Sequence, residues 1–343
     1  MTPSSRSPRA LGLAIALALG TTLAGCATTP AEAPTLAAAD AQVMNKAEHL
    51  EGLYARYWEE LLELNPLQAT FQGDPRYNDR LPDFLSEEYR DRSEAFTREW
   101  LERIEAIGPE GLDGQALLSY EIFVRDARNA LEGTRFPGWM QPLNQFYNFA
   151  STAVQLGSGT SAQPFKTVDD YDDWRKRASR LPVVFDTAIA NMRIGMREGV
   201  VQPTALMEKV LPQLDAIIKD DAADTLFWMP IKNMPDTIPA AERERITAEY
   251  RALIEGALMP AYRELRAFVA DEYMPATRAT SGMAALPDGE AWYAYNARSS
   301  TTTDLTPAQI HQIGLDEVAR IHGLIRTEVM DKVGFEGTLQ EFF

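Results

Sequence analysis

The chain has 343 residues, 45% of them hydrophobic, with 33 Lys and Arg against 50 Asp and Glu for a formal charge of −17. This is globular composition, with room for two domains or one large helical one. The pI near 4.7 and the scatter of its basic residues exclude nucleic acid as a partner, because a phosphate backbone is held by clustered cations.

The first residues read as an address. Arg6 and Arg9 precede an apolar run at residues 11–23, which Leu23-Ala24-Gly25-Cys26 closes with small residues before the sole cysteine, the pattern of a secretory signal ending in a lipobox. The run is shorter than the roughly 20 residues that span a bilayer. Residues 1–25 are therefore expected to be removed and Cys26 acylated, making membrane lipid a partner. Residues 26–40, rich in Ala, Pro and Thr, read as a flexible tether, and 41–343 as a helical domain. Ala27 after the cysteine, in place of Asp, points by analogy to the periplasmic face of the outer membrane.

From residue 40 to 64, Val43, Ala47, Leu50, Tyr54, Tyr57, Leu61 and Leu64 recur at helical spacing, and Asn65-Pro66 ends the helix. Ser86 caps a helix carrying Tyr89, Phe96, Trp100, Ile104 and Ile107, and a third spans about 115–131. Residues 134–166 lapse into Gly, Pro, Ser and aromatics, including Phe136, Trp139, Phe146, Tyr147 and Phe149, and read as irregular. Thr167 opens the next helix, Leu181-Pro182 interrupts it, and helical patterns follow over about 183–198 and 203–219. Pro239, at an N1-like position, begins a long helix towards Asp271 with a kink at Met259-Pro260. Thr306-Pro307-Ala308-Gln309 forms a capping box, and Ile310, Ile313, Val318, Ile321, Leu324 and Ile325 make the apolar face of its helix. Glu317 and Glu328 fall within that face, so they are expected to pair with an Arg across the bundle or line a polar cleft. No alternating β-branched run stands out, so the fold class is all-α, a multi-helix bundle. Thr338-Leu339-Gln340-Glu341 announces another helix two residues before the last position, from which the chain is expected to be the N-terminal part of a longer protein.

The residues for catalysis are sparse. His311 and His322 stand eleven positions apart on one helix, roughly 16 Å, too far to share a metal. With His49 they are the only histidines, and no H-E-x-x-H sequence occurs. Gly157-Ser158-Gly159-Thr160-Ser161 lacks the spacing of a nucleophile elbow and reads as a loop. No catalytic residue and no metal ligand is assigned. The candidate substrate-cleft residues are Tyr293, Tyr295 and Arg298, whose hydroxyls and guanidinium suit a peptide backbone or carboxylate, although the same stretch could simply lead into the Thr306 cap. The aromatic stretch from Phe136 to Phe149 either walls a cleft or packs onto the bundle.

Asn65-Pro66-Leu67-Gln68-Ala69-Thr70-Phe71-Gln72-Gly73-Asp74-Pro75-Arg76-Tyr77, Asn144-Gln145, Met196-Arg197-Glu198-Gly199 and the stretch from Asp170-Tyr171 to Arg180-Leu181-Pro182 are part of a wider likeness. With Trp292-Tyr293-Ala294-Tyr295 through Thr301-Thr302-Thr303-Asp304-Leu305-Thr306-Pro307 to Glu317-Val318-Ala319-Arg320-Ile321, they resemble the bacterial domain of unknown function 885 family. The resemblance implies an all-helical, zinc-dependent peptidase-like fold of the gluzincin type, with zinc in the full-length protein and its H-E-x-x-H helix in a C-terminal half. This chain would then supply the scaffold and one wall of a peptide-substrate cleft without being catalytic. The alternative is a complete non-enzymatic helical binding or structural lipoprotein.

Overall fold

Side-chain caps start some helices of this chain, and prolines in the first turn start others. The structure, a computed structural model, describes residues 36–146 and 148–343, with side chains from residue 46; the signal-like run, Cys26 and Tyr147 lie outside the described residues. The chain divides into two units, Met1–Met44 and Asn45–Phe343, and the core and cleft residues belong to the second. Among the described residues there is no strand, only an isolated bridge between Pro203 and Arg278, and no helix is long and apolar enough to cross a membrane.

Helix α1 (Leu36–Leu64) starts inside the stretch read as a tether, where Ala37-Ala38-Ala39 is a good helix former. Asn65 breaks it, and Pro66, whose missing N–H is harmless in a first turn, opens α2 (Pro66–Phe71). The Ser86 hydroxyl accepts from the Tyr89 amide at 3.1 Å and starts α3 (Glu87–Glu105), which packs on α4 (Gly114–Gly133). Leu50, Trp100, Ile104, Tyr120 and Val124 form the core of this first layer. The fully buried Trp100 donates its indole N–H to Glu60 at 3.0 Å, so burying the ring leaves no orphaned donor.

A larger core follows, built by α5 (Phe149–Gly157), α6 (Val168–Ala178), α7 (Leu181–Glu198), α8 (Thr204–Ile217), α9 (Met229–Lys232), α10 (Ala240–Leu253) and α11 (Met259–Ala267). Tyr171, Trp174, Phe185, Tyr250 and Tyr262 are buried in it, and each such ring contributes roughly 2–3 kcal/mol. Their polar ends are matched: the Tyr262 hydroxyl donates to Ala150 O and the Tyr250 hydroxyl to Tyr171 O. Burial pushes the Tyr171 phenol up to about 12, and the Tyr250 and Tyr262 phenols higher still.

The structure corrects the sequence reading in this core. Residues 134–166 are not wholly irregular, because the Asn148 side chain accepts from the amides of Ala150 and Ser151 and so caps α5. Gly157 closes α5 where a Cβ would sit 2.4 Å from Trp174 and 2.5 Å from Phe227, so only glycine fits. Pro182 lies in the first turn of α7 and helps to open that helix. Pro239 is an N-cap rather than N1, and the rod after it is no simple kinked helix. A π turn over Ile254–Leu258 lies directly before Pro260, which cannot make the i→i−4 bond, and a second covers Phe268–Tyr273.

Arg177 on α6 is 1% exposed, and no carboxylate of the described residues lies within ion-pair distance of it. Its guanidinium donates to Arg80 O at 3.0 Å, Tyr77 O at 2.6 Å and Gln163 Oε1 at 2.7 Å, and so holds the segment after α2 against the core. Burial pulls it down to about 10.

The last elements are α12 (Gly289–Thr301), α13 (Pro307–Leu324), a π turn (Ile325–Met330), α14 (Asp331–Val333) and α15 (Leu339–Phe342). Both capping boxes, at Thr306 and Thr338, form completely. The apolar face of α13 is uncovered: no residue of the helix is buried, and Ile313, Leu315, Val318, Ile321 and Leu324 are all exposed. Glu317 and Glu328 accordingly meet no Arg across a bundle. Glu317 takes Arg320 at 2.7 Å and Glu328 takes Lys332 at 2.5 Å, the nearest cations on their own rod.

Candidate functional site

Residues 292–298, which in sequence could be a lead-in to the Thr306 cap, lie inside α12. The sequence hides this start: the N-cap, Asp288, is left-handed (φ 51°) and makes no side-chain cap bond. Gly289 then packs where a Cβ would fall 2.0 Å from Met283 O. One side of α12 is fastened to the end of α4. Trp292 stacks on Phe136 (centroids 5.8 Å apart, 8° between planes), and the Tyr295 ring lies 5.1 Å from the same Phe136. The Tyr295 hydroxyl donates to Asn129 O at 2.8 Å, and Arg298 pairs with Glu132 at 2.6 Å. At Gly133 a Cβ would meet the Tyr295 hydroxyl at 2.3 Å, so that close approach requires glycine.

This fastening builds the rim of a cleft of about 620 Å³ between α3, the end of α4 and the segment after it, lined by Tyr89, Arg90, Phe136, Trp139 and Tyr295 among others. The Arg90 guanidinium lies 4.3 Å from the Trp139 ring centroid and donates to Leu85 O at 2.7 Å, which fixes both side chains at the mouth. Thr97 and Ala130 also line a second groove of about 770 Å³ with Tyr54, Trp58, Ile122 and Phe123, so the two hollows share a wall. Burial raises the phenols of Tyr54 and Tyr89 above their ordinary range; the Tyr89 hydroxyl donates to Asn65 Oδ1 at 2.5 Å, whereas the Tyr54 hydroxyl is buried without a partner among the described residues. The surface offers ring faces and hydroxyls together with the charged Arg90, Asp91 and Glu94, suited to an extended chain carrying apolar and polar groups.

Of the three residues singled out from the sequence, Tyr295 lines the cleft, Arg298 is engaged by Glu132, and Tyr293 lies exposed about 200° around the helix from Tyr295. Of the aromatic stretch, Phe136 is buried under Trp292, Trp139 walls the cleft, Phe149 packs onto the core and Phe146 is exposed. In sequence Tyr89 reads only as a core residue of α3, and Arg90 carries no signal, because its partner Trp139 lies far along the chain. His49, His311 and His322 are all exposed, and among the described residues no group of three or more His, Cys, Asp or Glu is placed to hold a metal ion. Ser158 and Thr160 share a hydroxyl hydrogen bond at 2.8 Å in the loop beyond α5.

The architecture and this aromatic cleft define an all-α protein whose fold is seen elsewhere. The crystal structure of a "putative lipoprotein" from Colwellia psychrerythraea superposes with a TM-score of 0.74 at 20% identity, over 86% of this chain and 53% of that one. This chain thus spans about half the length of that protein. Its residues 66–343 match the model of a bacterial protein family of unknown function, DUF885, and the chain belongs to that family. No curated protein matches it significantly.

Proposed function

We propose that this chain is the N-terminal part of a lipid-anchored envelope protein related to zinc-dependent peptidases, in which it supplies the scaffold and one wall of a peptide cleft. The observation that carries this reading is the hollow framed by Tyr89, Trp139 and Tyr295, in which Arg90 and the α4 end are locked by hydrogen bonds and ion pairs. Preorganised aromatic walls bind extended chains at small entropic cost. The Colwellia protein, of which this chain covers 53%, leaves room for a second part, and in our reading that part carries the hydrolytic chemistry, with zinc activating water. The signal-like start and Cys26 support an acyl anchor in the bacterial envelope, at the periplasmic face of the outer membrane.

The test uses fluorescently labelled unstructured peptides and the anisotropy of the label. Anisotropy should rise saturably, Trp139→Ala with Tyr295→Ala should weaken binding about tenfold or more, and the chain should neither retain stoichiometric zinc nor turn peptide over. Tight zinc with turnover by this chain alone, or binding indifferent to the two substitutions, overturns the reading. Cys26→Ser should release the protein from membranes washed in high salt, which screens any headgroup contact; an unchanged salt-resistant membrane fraction removes the anchor.

A non-enzymatic helical binding lipoprotein is the second reading. The exposed aliphatic face of α13 favours it, since contiguous apolar surface marks a partner site. Unaltered binding to a partner by a zinc-free protein would select it.

A further inference from the structure

On the side of α6 and α7 that meets the segment after α2, a cleft of about 470 Å³ collects four cations, Arg80, Arg92, Lys176 and Arg180, and two carboxylates, Glu63 and Asp79. A local excess of positive charge is unexpected in a chain of net charge −17. Elsewhere the arginines mostly sit within about 3 Å of a carboxylate, as Arg76, Arg193, Arg245 and Arg298 do. Here the cations are loosely held. Arg80 reaches Glu63 at 3.6 Å and Asp79 at 4.0 Å, and Lys176 reaches Asp79 at 3.7 Å. Arg92 and Arg180 are exposed and have no ion pair or side-chain hydrogen bond among the described residues.

Behind the wall stands Arg177. It donates to Arg80 O, and more distantly at 3.5 Å to Pro66 O, so two wall residues are bonded to a buried guanidinium with no carboxylate at ion-pair distance, on which Asp79 and Asp173 act only from farther off. A charge held in that poorly solvated position projects its field into the cleft with less screening than a surface cation does.

We propose that this cleft binds a phosphate-bearing anion. Four cations against two carboxylates leave an excess of two, which a phosphate monoester matches with about two negative charges near neutral pH, while a phosphodiester headgroup brings about one and pyrophosphate about three. Its oxygens accept from several donors at once, and the two free guanidiniums offer planar donor forks suited to them. The phosphate could belong to a lipid headgroup or to a soluble phosphate compound.

The probes are pyrophosphate, followed by titration calorimetry at low salt, and phosphatidylcholine vesicles with or without phosphatidylglycerol, followed by flotation of residues 26–343 carrying Cys26→Ser, the form left once the signal-like start is removed. Pyrophosphate should bind saturably, and Arg92→Gln with Arg180→Gln should weaken it at least about tenfold, the loss of charge-assisted hydrogen bonds. Arg320→Gln with Arg326→Gln, which removes the same charge from the distant last helical rod, should leave binding unchanged. Flotation only with phosphatidylglycerol, lost in the same cleft variant, assigns a headgroup; pyrophosphate binding without flotation assigns a soluble phosphate. Both exposed sites tolerate glutamine, and circular dichroism checks this. Absence of both binding signals, equal loss in the two double variants, or equally tight binding of malonate overturns the proposal.

Discussion

The core around α7 and α11 and the rod of α13 carry similar aliphatic stripes with opposite fates. Val184, Ile189 and Met192 of α7 are buried against Tyr262 and its neighbours, whereas Ile313, Val318, Ile321 and Leu324 of α13 stand in solvent. A helical stripe therefore specifies that a face can be covered, and the surrounding elements decide whether it is. In the core the polar groups show the difference as well. Arg177 and the tyrosines are bonded across the fold, while Glu317 and Glu328 find partners only on their own rod.

Substitutions in the two regions should separate them sharply. The largest effect is expected for Arg177→Met, which strands the carbonyls of Arg80 and Tyr77 and the amide oxygen of Gln163, at a cost of about 3 kcal/mol or more in urea unfolding. A loss below about 1 kcal/mol would show that water replaces the clamp, and the contrast would weaken. Next comes Gly157→Ala, whose methyl must displace Trp174 and Phe227; about 1–3 kcal/mol should be lost, and an unchanged melting temperature would mean the rings yield freely.

A smaller effect should come from Asp172 on α6, whose carboxyl is held low by hydrogen bonds from Arg245, against the opposing pull of burial. A carboxylate with a depressed folded pKa stabilises above its unfolded pKa of about 4, and that contribution disappears as the pH falls through the folded value. Asp172→Asn should therefore lower stability at neutral pH by about 1 kcal/mol, discounted for partial exposure, and the difference from the parent should close in acid. A difference independent of pH would assign the loss to packing. The smallest effect belongs to Val318→Lys with Ile321→Lys on α13. Stability should change by less than about 0.5 kcal/mol per site while binding of an apolar dye falls. A loss of several kcal/mol would show that this face is covered after all.

Much of the helical order is legible in sequence because caps are local. Ser86, Thr167, Thr306 and Thr338 each bond within three residues of themselves, so their sequences alone announce the start. The start of α12 is not, since Asp288 caps by backbone conformation without a side-chain bond, and α5 is concealed by the Gly, Ser and aromatic residues around Asn148. The π turn before Pro260 reads in sequence as a kink, because proline signals only that a bond must be lost and not how the chain absorbs it. At the site, Tyr295 is reachable from its residue type. Arg90 and Trp139 are not, because they meet only after α3 and the segment beyond α4 have folded together.

The clamp at Arg177 also has a place in time. Its hydrogen bonds to Arg80 and Tyr77 join residues 97 and 100 positions apart in sequence, and neither can form before α6 and the segment after α2 have met. Closing so long a loop is entropically uphill, and the guanidinium gains its carbonyl partners only as it gives up water. The clamp is therefore expected to close late, after much of the core has formed. Conservative changes there should leave the folding rate almost untouched and appear instead as faster unfolding, making this one side chain a determinant of how long the native state lasts.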